Sequence, residues 1–391
     1  MTNIKLQIKM KIKFINIFFL TVLLLTIASC TKTDDNNSVS SAQPPDLSKH
    51  PVYSKYQFNN TDNVINLGTQ PLYMPTGLIT ETMKRDIILK KALNKLGIEI
   101  RFYSFLKGHD VNFFLKKGDI DAGIGGDMPA ITIASTSEVI IPSLMQNGFV
   151  SIVAEHHMLI EQMRGKRFGY AIGSNAHYSL LHMFQLRGIA ATDVRLIPIN
   201  VVEMPEALTA GNIDAFSAWE PTPFLTRKLF PDKVVIHRSL STGYLYFSRA
   251  LYEKHPDAVL HMLAAQLRAF YWIKHKKENL LNASRWNIDE NNKLSDTMSE
   301  LSDADISKLA VDDIIGHHSS PVIPLQSLSR TGNLYKEFKF LKELGMVPLS
   351  IAWEKVRDSF APQILDGIYN NPSVYRFNEF DYDIDGDGSE Q

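Results

Sequence analysis

Gly118-Asp119-Ile120-Asp121-Ala122 and Gly211-Asn212-Ile213-Asp214-Ala215 are one phrase written twice in the same chain. The elements around each phrase repeat as well. In the first copy residues 64–68 read as a strand, followed by a helix over 81–96 closed by Gly97. An alternating strand at 98–103, a short helix at 111–117 and a strand from Ile120 complete it. The second copy has a strand at 167–172, a helix over 176–187 closed by Gly188, a strand at 194–199, a helix over 203–210 and a strand from Ile213. A glycine just past an apolar helical run is a helix stop, and strands alternating with helices predict parallel βαβ units. An acid and a proline follow each phrase, Asp127 and Pro129 in the first copy, Glu220 and Pro221 in the second. Two such units predict an α/β protein of two similar lobes. After Tyr244 the pattern changes: Leu263, Leu267, Phe270, Tyr271 and Ile273 recur at helical spacing. Further helices are expected at 306–315 and 334–344, packing back on the first lobe.

The N-terminus carries Lys5, Lys9, Lys11 and Lys13, then an apolar run over 14–27 that ends in Ile27-Ala28-Ser29-Cys30. This is the pattern of a secretory signal with small residues at the cleavage point, and the run is short for a membrane span. Its end resembles the bacterial lipobox, which implies lipidation of Cys30 and an extracytoplasmic, lipid-anchored protein. Cys30 is the only cysteine, so no internal disulfide can form. The expected organisation is a signal peptide at 1–29, a polar tether at 30–58, the first part of lobe 1 at 59–150, lobe 2 at 151–243, a helical return at 244–370 and an acidic tail at 371–391. A net charge of −1 argues against nucleic acid as a partner.

In open parallel sheets ligands sit beyond the carboxyl ends of the strands. In the second copy that place is Gly173-Ser174-Asn175-Ala176-His177-Tyr178. Gly173 permits close backbone approach, Ser174 or Asn175 can cap the helix, and the free amides offer an anion site. A plain capped helix start, which every helix needs, is the simpler reading. In the first copy the corresponding turns are 69–76, which holds Gln70 and Thr76, then 105–109 with Phe105 and His109, and 125–129 with Gly126 and Asp127. Asp127 and Glu220 either begin helices or aim a carboxylate at a cationic group, and Trp219 either walls a cleft or belongs to the core. His156-His157 and His317-His318 are adjacent pairs whose side chains point apart, so no metal site is expected. Asp381-Tyr382-Asp383-Ile384-Asp385 copies the start of a calcium loop, but the glutamate needed at position 12 has no counterpart.

Gly125-Gly126-Asp127-Met128-Pro129, the 173–178 motif and Trp219-Glu220-Pro221 resemble the motifs of substrate-binding proteins of ABC importers, in the alkanesulfonate, taurine and nitrate group. The Gly68-Thr69-Gln70 start and the Phe105-Leu106-Lys107-Gly108 loop agree, and the resemblance spans about residues 62–285. It implies a two-lobed, hinged, periplasmic-binding-protein-like fold with additional C-terminal helices. It also implies a monomer without cofactor or catalysis that passes a small solute to an ABC permease. A sulfonate or similar anion would lie on the amides near Gly173 and Ser174. Gln70, Thr76, Phe105, His109, Gly126, Asp127, Asn175, His177, Tyr178, Trp219 and Glu220 would complete the ligand site. One departure is His109, where relatives often have proline. Asp127 and Glu220 suit a zwitterion such as taurine. Binders of aminopyrimidine vitamin precursors share the family and stay open as an alternative, as does a ligand-sensing role for a signalling partner. The iron-dependent thiamine-pyrimidine synthases of this fold need a cysteine-rich motif that a single cysteine does not supply.

Overall fold

β1 (Val64–Thr69) is buried at every position because strands flank it on both sides. It runs parallel to β2 (Glu99–Ser104) and to β3 (Ala122–Gly126). These strands belong to a computed structural model that describes residues 46–296, 298–311 and 321–386. The signal segment, Cys30, His317-His318 and residues 387–391 lie outside the described residues. From Leu47 onward the chain forms one unit.

After β3 comes β4 (Val139–Ala154), then a second parallel set made of β5 (Arg167–Tyr170), β6 (Arg195–Pro198) and β7 (Ala215–Trp219). β8 (Val234–Ser248) closes one eight-stranded sheet in the order β2-β1-β3-β8-β4-β7-β5-β6. The order is symmetric about its middle. β4 and β8 pair antiparallel along their lengths, from Val139 opposite Ser248 to Ala154 opposite Val234, with register shifts near Ser143 and Gln146. Each is long enough to serve both halves of the sheet: β8 also pairs with β3, and β4 with β7.

The twice-written phrase has the same physical job in both copies. Gly118 (φ 82°) and Gly211 (φ 71°) end their helices in the left-handed region, where a side chain would be strained. The aspartate then ties the new strand to the first one. Asn66 N donates to Asp121 Oδ2 and Arg167 N to Asp214 Oδ2, both at 2.8 Å. The backbone N–H groups of Asp121 and Asp214 return bonds of 2.9 Å to the carbonyls of Asn66 and Arg167.

The helix expected over 81–96 is two helices, Thr76–Lys84 and Ile87–Lys95. Asp86 breaks it. Its extended backbone (φ −74°, ψ 102°) starts the second helix, and its Oδ1 accepts from Leu89 N at 2.9 Å. Its Oδ2 takes Arg268 Nε at 2.7 Å, with both side chains 0% exposed. Arg268 lies on the long Pro256–His275 helix, which packs on both of these helices. Further on, Asp303–Leu309 and Asn333–Glu343 are helical. The acidic tail is docked through Asp383. Tyr375 is buried and its carbonyl takes Arg268 Nη1 at 2.7 Å, while Ile87 N donates to Asp381 O and Asp383 N to Arg85 O. The Tyr382 ring packs on Trp272 at 4.7 Å between centroids, so apolar contact helps hold the tail to the core.

Candidate functional site

The turns after β1, β3, β5 and β7 meet where the two halves of the sheet face each other. Asp127, 1% exposed, opens the Asp127–Thr136 helix after β3. Its Oδ1 accepts from Met128 N at 2.8 Å. Its Oδ2 accepts from Asn175 Nδ2 at 2.7 Å, Thr242 N at 3.1 Å and Thr242 Oγ1 at 3.3 Å. Asn175 begins the Asn175–Leu186 helix after β5, so this one oxygen joins both halves and the crossing strand β8. Tyr73, in the turn after β1, meets Trp219 at the end of β7 edge to face, with ring centroids 6.4 Å apart. Its hydroxyl lies 3.1 Å from Ser241 Oγ.

A third wall comes from the Asn333–Glu343 helix. Phe340 packs edge-on against His177 (5.2 Å) and Tyr178 (5.3 Å), and His177 lies 4.3 Å from Tyr170. Glu337 on the same helix is buried, within electrostatic reach of Asp127. Burial pushes the Asp127 carboxyl up to about 6. Burial, with the Asp127 charge adding to it, holds Glu337 well above the usual carboxylate range. Burial also pushes Tyr178 up to about 12 and His177 down to about 4, so the imidazole is neutral at physiological pH.

Of the residues expected to bind ligand, Gly126, Asp127, Asn175, His177, Tyr178 and Trp219 gather here. Ser174 is the helix cap, accepting from His177 N at 3.2 Å and donating to Ala171 O at 2.7 Å. The Gly173–Ser174 amides, expected to be open to an anion, are engaged. Gly173 N donates to His177 Nδ1 and Ser174 N to Ala171 O, each at 3.3 Å. Met346 Sδ stands where a side chain on Gly173 would begin. Gln70 is turned away, its Nε2 donating to Ile124 O. Thr76 is buried against Gln146, whose Oε1 takes both its N–H at 3.0 Å and its hydroxyl at 2.7 Å. Phe105 is fully buried among Tyr53, Tyr56 and Phe114, where an apolar ring gains most, and forms core rather than cleft. His109 is exposed on the Gly108–Lys117 helix. Glu220 Oε2 accepts from Phe224 N at 3.0 Å in the first turn of the next helix. Among the described residues no group of three or more His, Cys, Asp or Glu is placed to hold a metal.

Tyr73, Thr242, Glu337, Phe340 and Met346 were not foreseen. Glu337 alone left a trace in the sequence. It falls at a position of the Leu334, Phe338, Leu341 stripe where helical spacing calls for an apolar residue.

A sequence profile described as the NMT1-like family matches residues 90–287. A putative aliphatic sulfonates-binding protein of Bacillus subtilis (strain 168) is 25% identical over 193 residues, which is 47% of this chain and 58% of the relative. Its Escherichia coli (strain K12) namesake is 25% identical over 129 residues, 32% of this chain and 40% of the relative. The chain thus spans about half the length of these curated relatives. Among solved structures, the alkanesulfonate-binding protein SsuA of Xanthomonas axonopodis pv. citri, bound to MOPS, superposes with a TM-score of 0.55 at 16% identity, covering 76% of this chain and 98% of that one. The desulfurization enzyme DSZB also superposes, with a TM-score of 0.55 at 14% identity, covering 79% and 99%. The fold is therefore the periplasmic-binding-protein-like one, which serves binding proteins and at least one enzyme.

Proposed function

This chain belongs to the NMT1-like family, and on that footing we propose that it is the extracytoplasmic solute-binding component of an ABC importer. It captures a small organic anion or zwitterion, sulfonate- or taurine-like, between two lobes and hands it to a membrane permease. The lobes correspond to the two halves of the sheet, with β4 and β8 as the hinge, and Cys30 is the lipid attachment point. The observation that carries this reading is the convergence of four strand-end turns, two from each half, on Asp127, Asn175, Tyr73 and Trp219. Strand-end crevices are where this class of sheet binds ligands. Closure about two long strands is a hinge motion of the binding-protein type.

The test is a thermal-shift panel of taurine, ethanesulfonate, nitrate, bicarbonate and 4-aminopyrimidine on the full chain. A true ligand at about a thousand times its Kd stabilises by roughly 4 kcal/mol. No shift with any member, and no small molecule released on denaturation, would defeat the reading.

A further inference from the structure

The Asn333–Glu343 helix lies outside the residues 90–287 that carry the family match. Glu337, 4% exposed, sits in its buried stripe beside Leu334, Phe338 and Leu341. A carboxylate buried among apolar groups is costly unless something compensates it. Among the described residues neither Glu337 nor Asp127 has a Lys, Arg or His within ion-pair distance, and Glu337 Oε2 is buried without a hydrogen bond. The helix packs against the Asp127–Thr136 helix, which Asp127 begins. A second unpartnered group borders the same place. Asn175, 8% exposed, gives its Nδ2 to Asp127 and leaves its Oδ1 buried without a donor. Asn175 Oδ1 is an acceptor, and Glu337 Oε2 becomes one once a cation draws the proton off the carboxyl. An anionic group would bring more acceptors to two carboxylates, whereas a protonated amine brings N–H donors and the opposite charge. The Tyr73, Trp219 and Tyr178 rings add faces that attract a cation.

We propose that Glu337 and Asp127 together receive a protonated nitrogen of the ligand, with Asn175 Oδ1 as a third acceptor. The C-terminal helix then completes the binding site, and Glu337 is a specificity-determining residue. The ligand class is a small amine-bearing zwitterion or cation; any sulfonate it carries binds away from this cluster. This inference rests on the solute-binding reading above and narrows it.

Calorimetric titration of the full chain tests it, using taurine and 4-aminopyrimidine as nitrogen-bearing probes and ethanesulfonate and nitrate as nitrogen-base-free ones. At least one of the first pair is expected to bind more tightly than either of the second. Glu337→Gln, which keeps the shape and removes the charge, is expected to weaken that probe roughly tenfold or more, the scale of a charged hydrogen bond. It should leave ethanesulfonate within about threefold. Asp127→Asn, with Glu337 intact, is the second arm and should weaken the same probe. Unfolding midpoints of both variants confirm that they fold. If only ethanesulfonate or nitrate binds, or if both variants hold the amine as tightly as wild type, the inference is overturned while the solute-binding reading stands. If none of the four binds, the inference falls, and failure of the wider panel as well takes the solute-binding reading with it.

Discussion

Replacing Asp127 with asparagine should stabilise the ligand-free protein at neutral pH even as it impairs binding. Asp127 is 1% exposed, and burial raises its carboxyl from 3.8 to about 6. The fold then holds the proton more tightly than the unfolded chain does. Stability from this group is fully present below the unfolded value and is lost as pH rises through the folded one. At pH 7 the loss is about 3 kcal/mol, taking about 1.4 kcal/mol for each tenfold change in proton affinity. Asparagine removes the charge but cannot serve all four donors, Met128 N, Asn175 Nδ2, Thr242 N and Thr242 Oγ1. The Asn175 amide can turn over, because its Oδ1 has no partner, and the Thr242 hydroxyl can accept. One backbone N–H is left short, at roughly 1–2 kcal/mol. The net gain is about 1–2 kcal/mol at pH 7, or about 1–3 °C in the midpoint for a chain of this size. At about pH 4 the folded carboxyl is neutral and only part of the unfolded population is ionised, so little of the penalty remains and the variant should be the less stable protein. Unfolding of both proteins from pH 4 to 7.5 gives the difference curve, which should change sign between about pH 4 and 6. A difference that does not vary with pH would refute the reasoning.

His177 titrates with the opposite sign. Burial lowers its folded value from 6.5 to about 4, so its contribution is present above 6.5 and is lost as pH falls toward 4. His177→Phe keeps the ring against Tyr170 and Phe340 and should flatten that acid-side slope in the same unfolding series. Arg268→Met leaves Asp86 buried without its cation, and urea unfolding should show a loss of roughly 3–5 kcal/mol. Gly118→Ala puts a methyl group into open space at φ 82°, so only backbone strain acts, and unfolding should register a loss of about 1 kcal/mol.

The two βαβ copies were legible because their signals are local. Gly97, Gly118, Gly188 and Gly211 end helices at positive φ, which is a property of the turn itself. Asp121 and Asp214 bind a strand of their own copy, so the repeated phrase carries its own contact. The break at Asp86 escaped the same reading because its cause, Arg268, arrives from a distant helix. Phe105 looked like a cleft residue from its place after β2, yet the aromatic cluster of Tyr53, Tyr56 and Phe114 claims it.

The sequence by itself determined the alternation of strand and helix within each copy, the doubling of that βαβ pattern and the presence of Asp127 and Asn175 at strand ends. Those features depend on side-chain periodicity and turn chemistry within a few residues. Only the tertiary structure decided what surrounds Asp127. The pairing of β4 with β8 brings Thr242 to it, and the return of the C-terminal helices places Glu337 near it, Phe340 against His177 and Tyr178, and Met346 over Gly173. Contacts across such separations are selected by packing and burial summed over the whole core, and no local pattern encodes them.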